Sequence, residues 1–334
     1  MAYSTIKDDK MVLKRQYIVD TIINDIQAGE LVIGSALPSL NELTKQFGVS
    51  YFTAVAAYQE LMSRGIIRSI PRKGYQVATA GNIAKHRIFL FLNEINSFKD
   101  ILYNSFKEEI GDNGTVDVYF HHFNPKVYQQ NILENLGNYT AYVVMPMHEK
   151  GCDKALESIP EGKLYILDIG RFPYGQKYPS VCQNFGNDLY RMLTAESDVM
   201  KKYTKLILII SYYPYWIHDI REGFDRFCRE QQIDSEQVAN AIGRKVSKGE
   251  CYIVMPDDDL GLIVKAIQEG GLKLGIDVGI LSYHETPLKA VVANGLTTIS
   301  TDFRQMGQTM AEMVLNRKKE HIENPCSLIR RKSL

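Results

Sequence analysis

Residues able to do chemistry fall into a few patterns along the 334-residue chain. The basic pair Arg72-Lys73 stands between Pro71 and Gly74, with apolar runs on either side, the composition of a hairpin tip. Two cations on such a tip reach phosphates, although a basic pair is by itself an ordinary solvated turn. Asp257, Asp258 and Asp259 form an acidic run that either caps the helix after it or accepts hydroxyls from a ligand. His121 and His122 are adjacent at a strand end, where successive side chains point to opposite faces, so they do not form a metal pair. Cys152, Cys182, Cys228, Cys251 and Cys326 are scattered without CxxC spacing, which gives neither a zinc site nor a redox pair. No GxSxG elbow, GxxxxGK[ST] phosphate loop or HExxH helix is present, and no enzyme, metal or cofactor is expected.

Length implies two or three domains, and 45% apolar content is enough for sizeable cores. Thirty-nine basic residues balance thirty-nine acidic ones, but unevenly. Residues 1–86 hold ten Lys/Arg against seven Asp/Glu (+3), leaving 29 against 32 (−3) in the remainder. A basic head on an acidic body fits a DNA-binding module fused to another domain. The charged N-terminus is not a signal peptide, no apolar run approaches the roughly 20 residues of a bilayer span, and free thiols suit a reducing cytosol. A cytoplasmic protein without membrane association is expected.

The elements that must position the basic pair come first. Tyr17, Ile18, Ile22, Ile23 and Ile26 recur at helical spacing, predicting a helix over 12–28 that stops at Gly29. Ser39 and Glu42 have capping-box spacing before a short helix at 40–47. Gly48 turns the chain, and Ser50 caps a third helix over 51–64 whose buried face is Ala54, Ala57, Tyr58 and Leu61. Strands at 66–70 and 75–78 flank the basic tip. Helix, helix, turn, helix and hairpin make a winged helix-turn-helix over residues 1–79, with its third helix in the major groove.

The stretch Ala28-Gly29-Glu30-Leu31, Gly34, Leu37-Pro38-Ser39, Glu42-Leu43, Gly48-Val49-Ser50, Thr53, Glu60-Leu61, Gly65-Ile66-Ile67 and Lys73-Gly74-Tyr75 resembles the head of GntR-type regulators. That resemblance implies DNA binding through Ser39, Asn41, Ser50, Tyr51, Phe52, Thr53, Val55, Arg72, Lys73, Gly74 and Tyr75. The family reads DNA with three arginines where this chain has Asn41, Tyr51 and Val55. Asn41 can still read adenine or hold a phosphate, Tyr51 can donate to a phosphate, and Val55 can only touch a thymine methyl or pack. Arg72 and Lys73, with Arg64, Arg68 and Lys45, must then carry much of the electrostatic binding.

Residues 80–86 read as a linker, and from Arg87 strands alternate with helices. Strands are predicted at 88–92, 116–120, 141–145, 164–168, 205–210, 238–242, 251–255 and 277–283, with helices at 98–111, 125–137, 151–159, 187–203, 216–231 and 259–270. This is a doubly wound α/β body over 87–334, in two lobes joined near 181–186 and 297–303, with a ligand at the carboxyl ends of the strands.

The body is similar to the effector domain of LacI/GalR-type regulators, which are related to periplasmic sugar-binding proteins. Leu296-Thr297-Thr298-Ile299, Asp302-Phe303-Arg304, Met306-Gly307-Gln308 and Leu328-Ile329-Arg330-Arg331 carry the likeness, extended by Arg221-Glu222-Gly223-Phe224 and Gly275-Ile276-Asp277-Val278-Gly279. The resemblance implies a pocket of Asn93, Glu94, Phe98, Asp168, Arg221, Asp257, His284, Glu285 and Phe303. Acids and amides pair with hydroxyls, arginine clamps them and rings cover a sugar face. The expected protein is a repressor of a carbohydrate-utilisation operon. It would bind a pseudo-palindromic operator as a homodimer and be switched by a monosaccharide. The alternative is a small-molecule sensor with weak or lost DNA binding that acts through protein contacts.

Overall fold

A computed structural model describes residues 2–79, 86–169, 174–210 and 216–334, with only the backbone described for 2–13, 216 and 217. In chain order the head comprises α1 (Ala2–Gln27), α2 (Leu40–Phe47), α3 (Tyr51–Ser63), β1 (Ile67–Ile70) and β2 (Gly74–Val77). There follow β3 (His86–Leu92), α4 (Ser97–Ile110), β4 (Gly114–Phe120), α5 (Pro125–Glu134), β5 (Ala141–Val144), α6 (Cys152–Glu157), β6 (Leu164–Asp168) and β7 (Ser180–Cys182). The next set is α7 (Phe185–Ala195), α8 (Ser197–Met200), β8 (Lys205–Ile209), α9 (Trp216–Gln231), β9 (Asp234–Val238), β10 (Glu250–Val254) and α10 (Asp257–Glu269). The chain ends with β11 (Gly279–Tyr283), β12 (Thr297–Thr301), α11 (Phe303–Leu315), β13 (His321–Glu323) and β14 (Cys326–Ile329). Of the expected linker, residues 80–85 lie outside the described residues. The chain divides into two compact units, Met1–Glu94 with Ile110–Tyr165 and Val314–Arg317, and Ile95–Glu109 with Ile166–Met313 and Lys318–Leu334.

In the first unit the head folds around one apolar core. Ala54, Ala57, Tyr58 and Leu61 of α3 are fully buried, as the helical spacing predicts, and pack with Ile18, Val19 and Ile22 of α1. The capping box forms: the Ser39 hydroxyl accepts from the Glu42 amide at 3.3 Å, and the Glu42 carboxylate accepts from the Ser39 amide at 2.8 Å. Gly48 closes α2 with φ 59°, a conformation that suits glycine. β1 and β2 pair antiparallel from Ile67↔Val77 to Ile70↔Gly74. Behind the head, β3 pairs in parallel with β4 and with β5. The run Ile88-Phe89-Leu90-Phe91-Leu92 is buried throughout, as an apolar strand covered on both faces must be.

The second unit holds a six-stranded sheet in the order β14-β12-β11-β10-β8-β9, parallel except for β14. It also holds the parallel set β6-β7-β13. Asn324, after β13, ties three passages of chain together. Its amide Nδ2 donates to Thr301 Oγ1 at 2.7 Å and to the Asp302 carbonyl at 3.0 Å, and its backbone N donates to the Cys182 carbonyl at 2.9 Å.

Several sequence expectations are corrected. The strand expected at 238–242 lies at β9 instead, and Ile242 is 78% exposed. β9 is an edge strand, so its polar Asp-Ser-Glu-Gln run needs no second apolar cover, and Glu236 on it pairs with Arg244. The single helix expected over 187–203 breaks at Glu196 into α7 and α8. The first helix begins ten residues earlier than expected, at Ala2. The sequence pattern does not predict β7, β12, α11, β13 or β14.

Helices α7 and α9 cross with their backbones in contact. A Cβ at Gly223 would lie 2.1 Å from the Gly186 carbonyl oxygen, and one at Gly186 would lie 2.2 Å from that of Asp219. Neither position admits a side chain unless the helices part. Gly223→Ala should therefore cost about 1–3 kcal/mol. The check is the urea midpoint at unchanged slope, and a midpoint equal to wild type would show that the crossing yields freely.

Candidate nucleic-acid interface and ligand site

The Ser50 cap starts α3 so that Tyr51 and Phe52 face outward while Thr53 and Ala54 turn inward. The Ser50 hydroxyl accepts from the Thr53 amide at 3.2 Å, Tyr51 is 51% exposed and Phe52 80% exposed. Thr53 is buried and bonded to the Ser50 hydroxyl at 2.8 Å, while Val55 is half-buried. Asn41 is exposed, and Ser39 is occupied by its cap. Tyr75 belongs to the core, its ring 4.6 Å edge-on from Tyr58, whose hydroxyl donates to the Pro38 carbonyl. Of the residues expected to contact DNA, Asn41, Tyr51, Phe52, Arg72, Lys73 and Gly74 are thus exposed, as are Lys45 and Arg68. Arg64 is half-buried, and desolvation lowers its pKa.

The wing tip is strained. The Lys73 amide donates to the Ile70 carbonyl at 3.0 Å, and Arg72, directly after Pro71 and third in this turn, has φ 64°. That is the geometry of a type II turn, whose third position ordinarily takes glycine or asparagine. An arginine there costs about 1–2 kcal/mol. Arg72, Lys73 and Gly74 are all exposed.

The second unit assembles a separate cluster. Asp168 ends β6 and His284 follows β11, both at carboxyl ends of parallel strands, where α/β sheets bind ligands. Both have left-handed backbones, φ 64° and 61°. Lys99 and Asp168 form an ion pair with side chains only 5% and 2% exposed. The amide of Gln183 donates to the other Asp168 oxygen. Over this pair stand three rings: Phe98 stacks on Phe303 at 5.0 Å, and His284 lies 4.7 Å from Phe98 and 5.0 Å from Phe303. The Lys99 ammonium lies 5.4 Å from the Phe303 ring centre and 5.7 Å from that of Phe98.

Two polar atoms beside the pair, His284 Nδ1 and Gln183 Oε1, are sealed from solvent without a hydrogen-bond partner among the described residues. Leaving such an atom unpaired costs about 1–3 kcal/mol. A ligand bearing hydroxyls would satisfy both, with the rings against its apolar face. Burial pushes the His284 pKa down to about 3, Asp168 opposing and Lys99 and Lys289 adding to the fall. The imidazole is therefore neutral at pH 7 and offers one donor and one acceptor.

Of the nine expected ligand residues, Phe98, Asp168, His284 and Phe303 are brought together. Asp257 and Glu285 serve the loop that carries His284. Asp257, in the first turn of α10, pairs with buried Lys289 at 2.7 Å, and Lys289 also donates to the carbonyls of Tyr283 and His284 at 2.8 and 2.9 Å. Glu285 is clasped by both Arg331 nitrogens at 2.8 and 2.9 Å and by Thr298. Burial raises its pKa, but these bonds outweigh burial and the net shift is downward. Arg221 is half-buried on α9. Asn93, buried, and Glu94 fall in the first unit. Sequence reasoning missed Lys99, Gln183 and Lys289. Lys99 carried a legible signal, since it shares a helical stripe with buried Leu102 and Phe106 at i+3 and i+7.

Away from the cluster, His121 is buried, its Nε2 3.2 Å from the Met145 carbonyl and its Nδ1 accepting from the Phe123 amide. His122 is exposed, so the two histidines do separate to different environments. Among the described residues no helix is long and apolar enough to cross a membrane.

The His284 shift has a pH consequence. The unfolded chain protonates this residue near its ordinary value of 6.5, the folded chain only near 3. Stability from neutral His284 is present above 6.5 and is lost as the pH falls toward 3. His284→Gln should flatten the fall in unfolding free energy over that window. Identical slopes in variant and wild type would remove the buried imidazole from the account.

Residues 14–77 match the model for bacterial regulatory proteins of the gntR family, and residues 199–334 match a periplasmic binding protein-like domain. The lactose operon repressor of Escherichia coli (strain K12) is 31% identical over 87 residues, a match spanning 24% of each chain. Three solved structures superpose on about three quarters of this chain. A dimeric Lac repressor has TM-score 0.62 at 17% identity, covering 74% of this chain and 98% of its own. A LacI family transcriptional regulator from Silicibacter pomeroyi has TM-score 0.63 at 16%, covering 74% and 98%. The trehalose repressor from Escherichia coli has TM-score 0.61 at 12%, covering 74% and 100%. Residues 14–77 therefore form a GntR-type helix-turn-helix domain, residues 199–334 belong to a periplasmic binding protein-like domain, and the body shares the α/β fold of solved LacI-type repressors.

Proposed function

We propose that this protein is a ligand-responsive transcription repressor of a carbohydrate-utilisation operon, acting in the cytoplasm as a homodimer on a pseudo-palindromic operator. Its effector is a monosaccharide held by Phe98, Asp168, His284 and Phe303 with Lys99 and Gln183. The observation that carries the effector reading is the pair of unpartnered buried atoms, His284 Nδ1 and Gln183 Oε1, beside a buried ion pair and three rings. A polyhydroxylated molecule meets those demands, whereas an apolar one would leave them unmet. The lactose and trehalose repressors among the similar proteins, both named for disaccharides, support a carbohydrate ligand without favouring a monosaccharide.

The switch is a linkage. A sugar that binds one arrangement of the body more tightly than another shifts the population, and operator affinity falls by the same coupling that weakens sugar binding on DNA. Isothermal titration of the full chain against pentoses, hexoses and deoxyhexoses should give saturable heat with one of them. Lys99→Met should abolish that heat while gel-shift binding of operator persists. No heat across the panel would refute a monosaccharide effector.

Asn41, Tyr51 and Val55, in place of arginines, favour a second reading in which the head no longer binds DNA strongly. Arg72→Gly separates the two. The substitution relieves a left-handed arginine, so the head should be no less stable, yet the salt dependence of operator binding should drop by about one phosphate contact. Wild-type binding with no salt dependence would favour the protein-contact reading.

A further inference from the structure

Within the first unit, the head and the parallel strands behind it enclose a cavity of about 290 Å³. Arg15 of α1 with Gln59 and Glu60 of α3 line one wall, and Gly162, Lys163 and Arg317 line the other. Three cations thus face one carboxylate. Glu60 is 3.7 Å from Arg15, which leaves the other two cations unanswered. Among the described residues Lys163 and Arg317 form no ion pair, and the Lys163 ammonium donates only to the Tyr139 carbonyl at 3.1 Å. Burial lowers the Lys163 pKa, Glu60 opposing and Arg15 and Arg317 adding to the fall, so these charges feel one another across the cavity. Among the described residues a Cβ added at Gly162 would meet no atom within 4 Å.

We propose that this cavity is a second ligand site, which binds a phosphate dianion, free or carried on a small organic body, between Lys163, Arg317 and Arg15. The two unanswered positive charges match a dianion. A volume at the lower edge of small-molecule pockets leaves room for more than the bare ion. The occupant would tie the Glu60 end of α3 to the segment that carries Lys163. Because the first turn of α3 holds Tyr51 and Phe52, such a tie would also restrain the DNA-reading surface. The site stands independently of the sugar reading, and only its effect on operator binding rests on the proposed DNA-binding role of the head.

The test is isothermal titration of the full chain, at constant ionic strength, with inorganic phosphate, ribose 5-phosphate and ribose. Saturable one-to-one binding of a phosphate compound, with ribose silent, is expected. Affinity at least tenfold higher for ribose 5-phosphate would assign an organic phosphate, and equal affinity would assign the free ion. Gly162→Glu places a carboxylate in the cavity and should weaken binding at least tenfold. Arg317→Ala, at an exposed position, should weaken it too without changing the melting temperature of the unliganded protein. Absence of saturation with both phosphates, or unchanged affinity in both variants, would overturn the proposal.

Discussion

The ligand cluster depends on one buried ion pair. Lys99 and Asp168 are taken out of water together, and removing either would leave an uncompensated charge costing about 3–5 kcal/mol. That penalty holds the start of α4 against the end of β6. It also fixes Phe98, the neighbour of Lys99 in sequence, so that its ring can stack on Phe303. Gln183 shares Asp168, which places β7 under the same constraint. The cost of keeping these charges dry is met by mutual attraction and by cation–π contact with two rings.

The head solves a different problem with local means. Two serine caps set the ends of α2 and α3, and one tyrosine hydroxyl fixes the entry to α2. No buried charge pair is needed, because the core is apolar and continuous from α1 to the wing. This division leaves the exposed positions of α3 and the wing free to vary without unfolding the head. Tyr51 on α3 occupies such a position, Asn41 on α2 is likewise exposed, and Val55 is half-buried.

Much of this was legible in the sequence, and the losses have physical causes. The head could be read almost whole because its caps, turns and helical stripe are short-range signals that act within a few residues. The buried strands of the body were equally plain, as apolar runs such as Ile88 to Leu92. β9 was misplaced because an edge strand with polar residues has no apolar pattern to show. The cluster was half-read. Phe98, Asp168, His284 and Phe303 lie at strand ends or helix starts, where resemblance could point. Lys289 lies in a loop, and its three partners are set only by tertiary folding. Glu285 and Asp257 carry the chemistry of ligand groups, yet in the fold their oxygens are engaged by Arg331 and Lys289.

Asn324 is a mechanical tie. One side-chain amide and one backbone amide bind the chain at Thr301, Asp302 and Cys182, so three separate passages are laced at a single point. Three independent strings could each twist freely. Laced, they behave as one torsion bar, because turning any passage shears a hydrogen bond to its neighbour. The stiffness of that bar is then set by one residue, bonded to the carbonyl directly before Phe303. Sequence change at Asn324 would loosen the three passages together rather than one at a time.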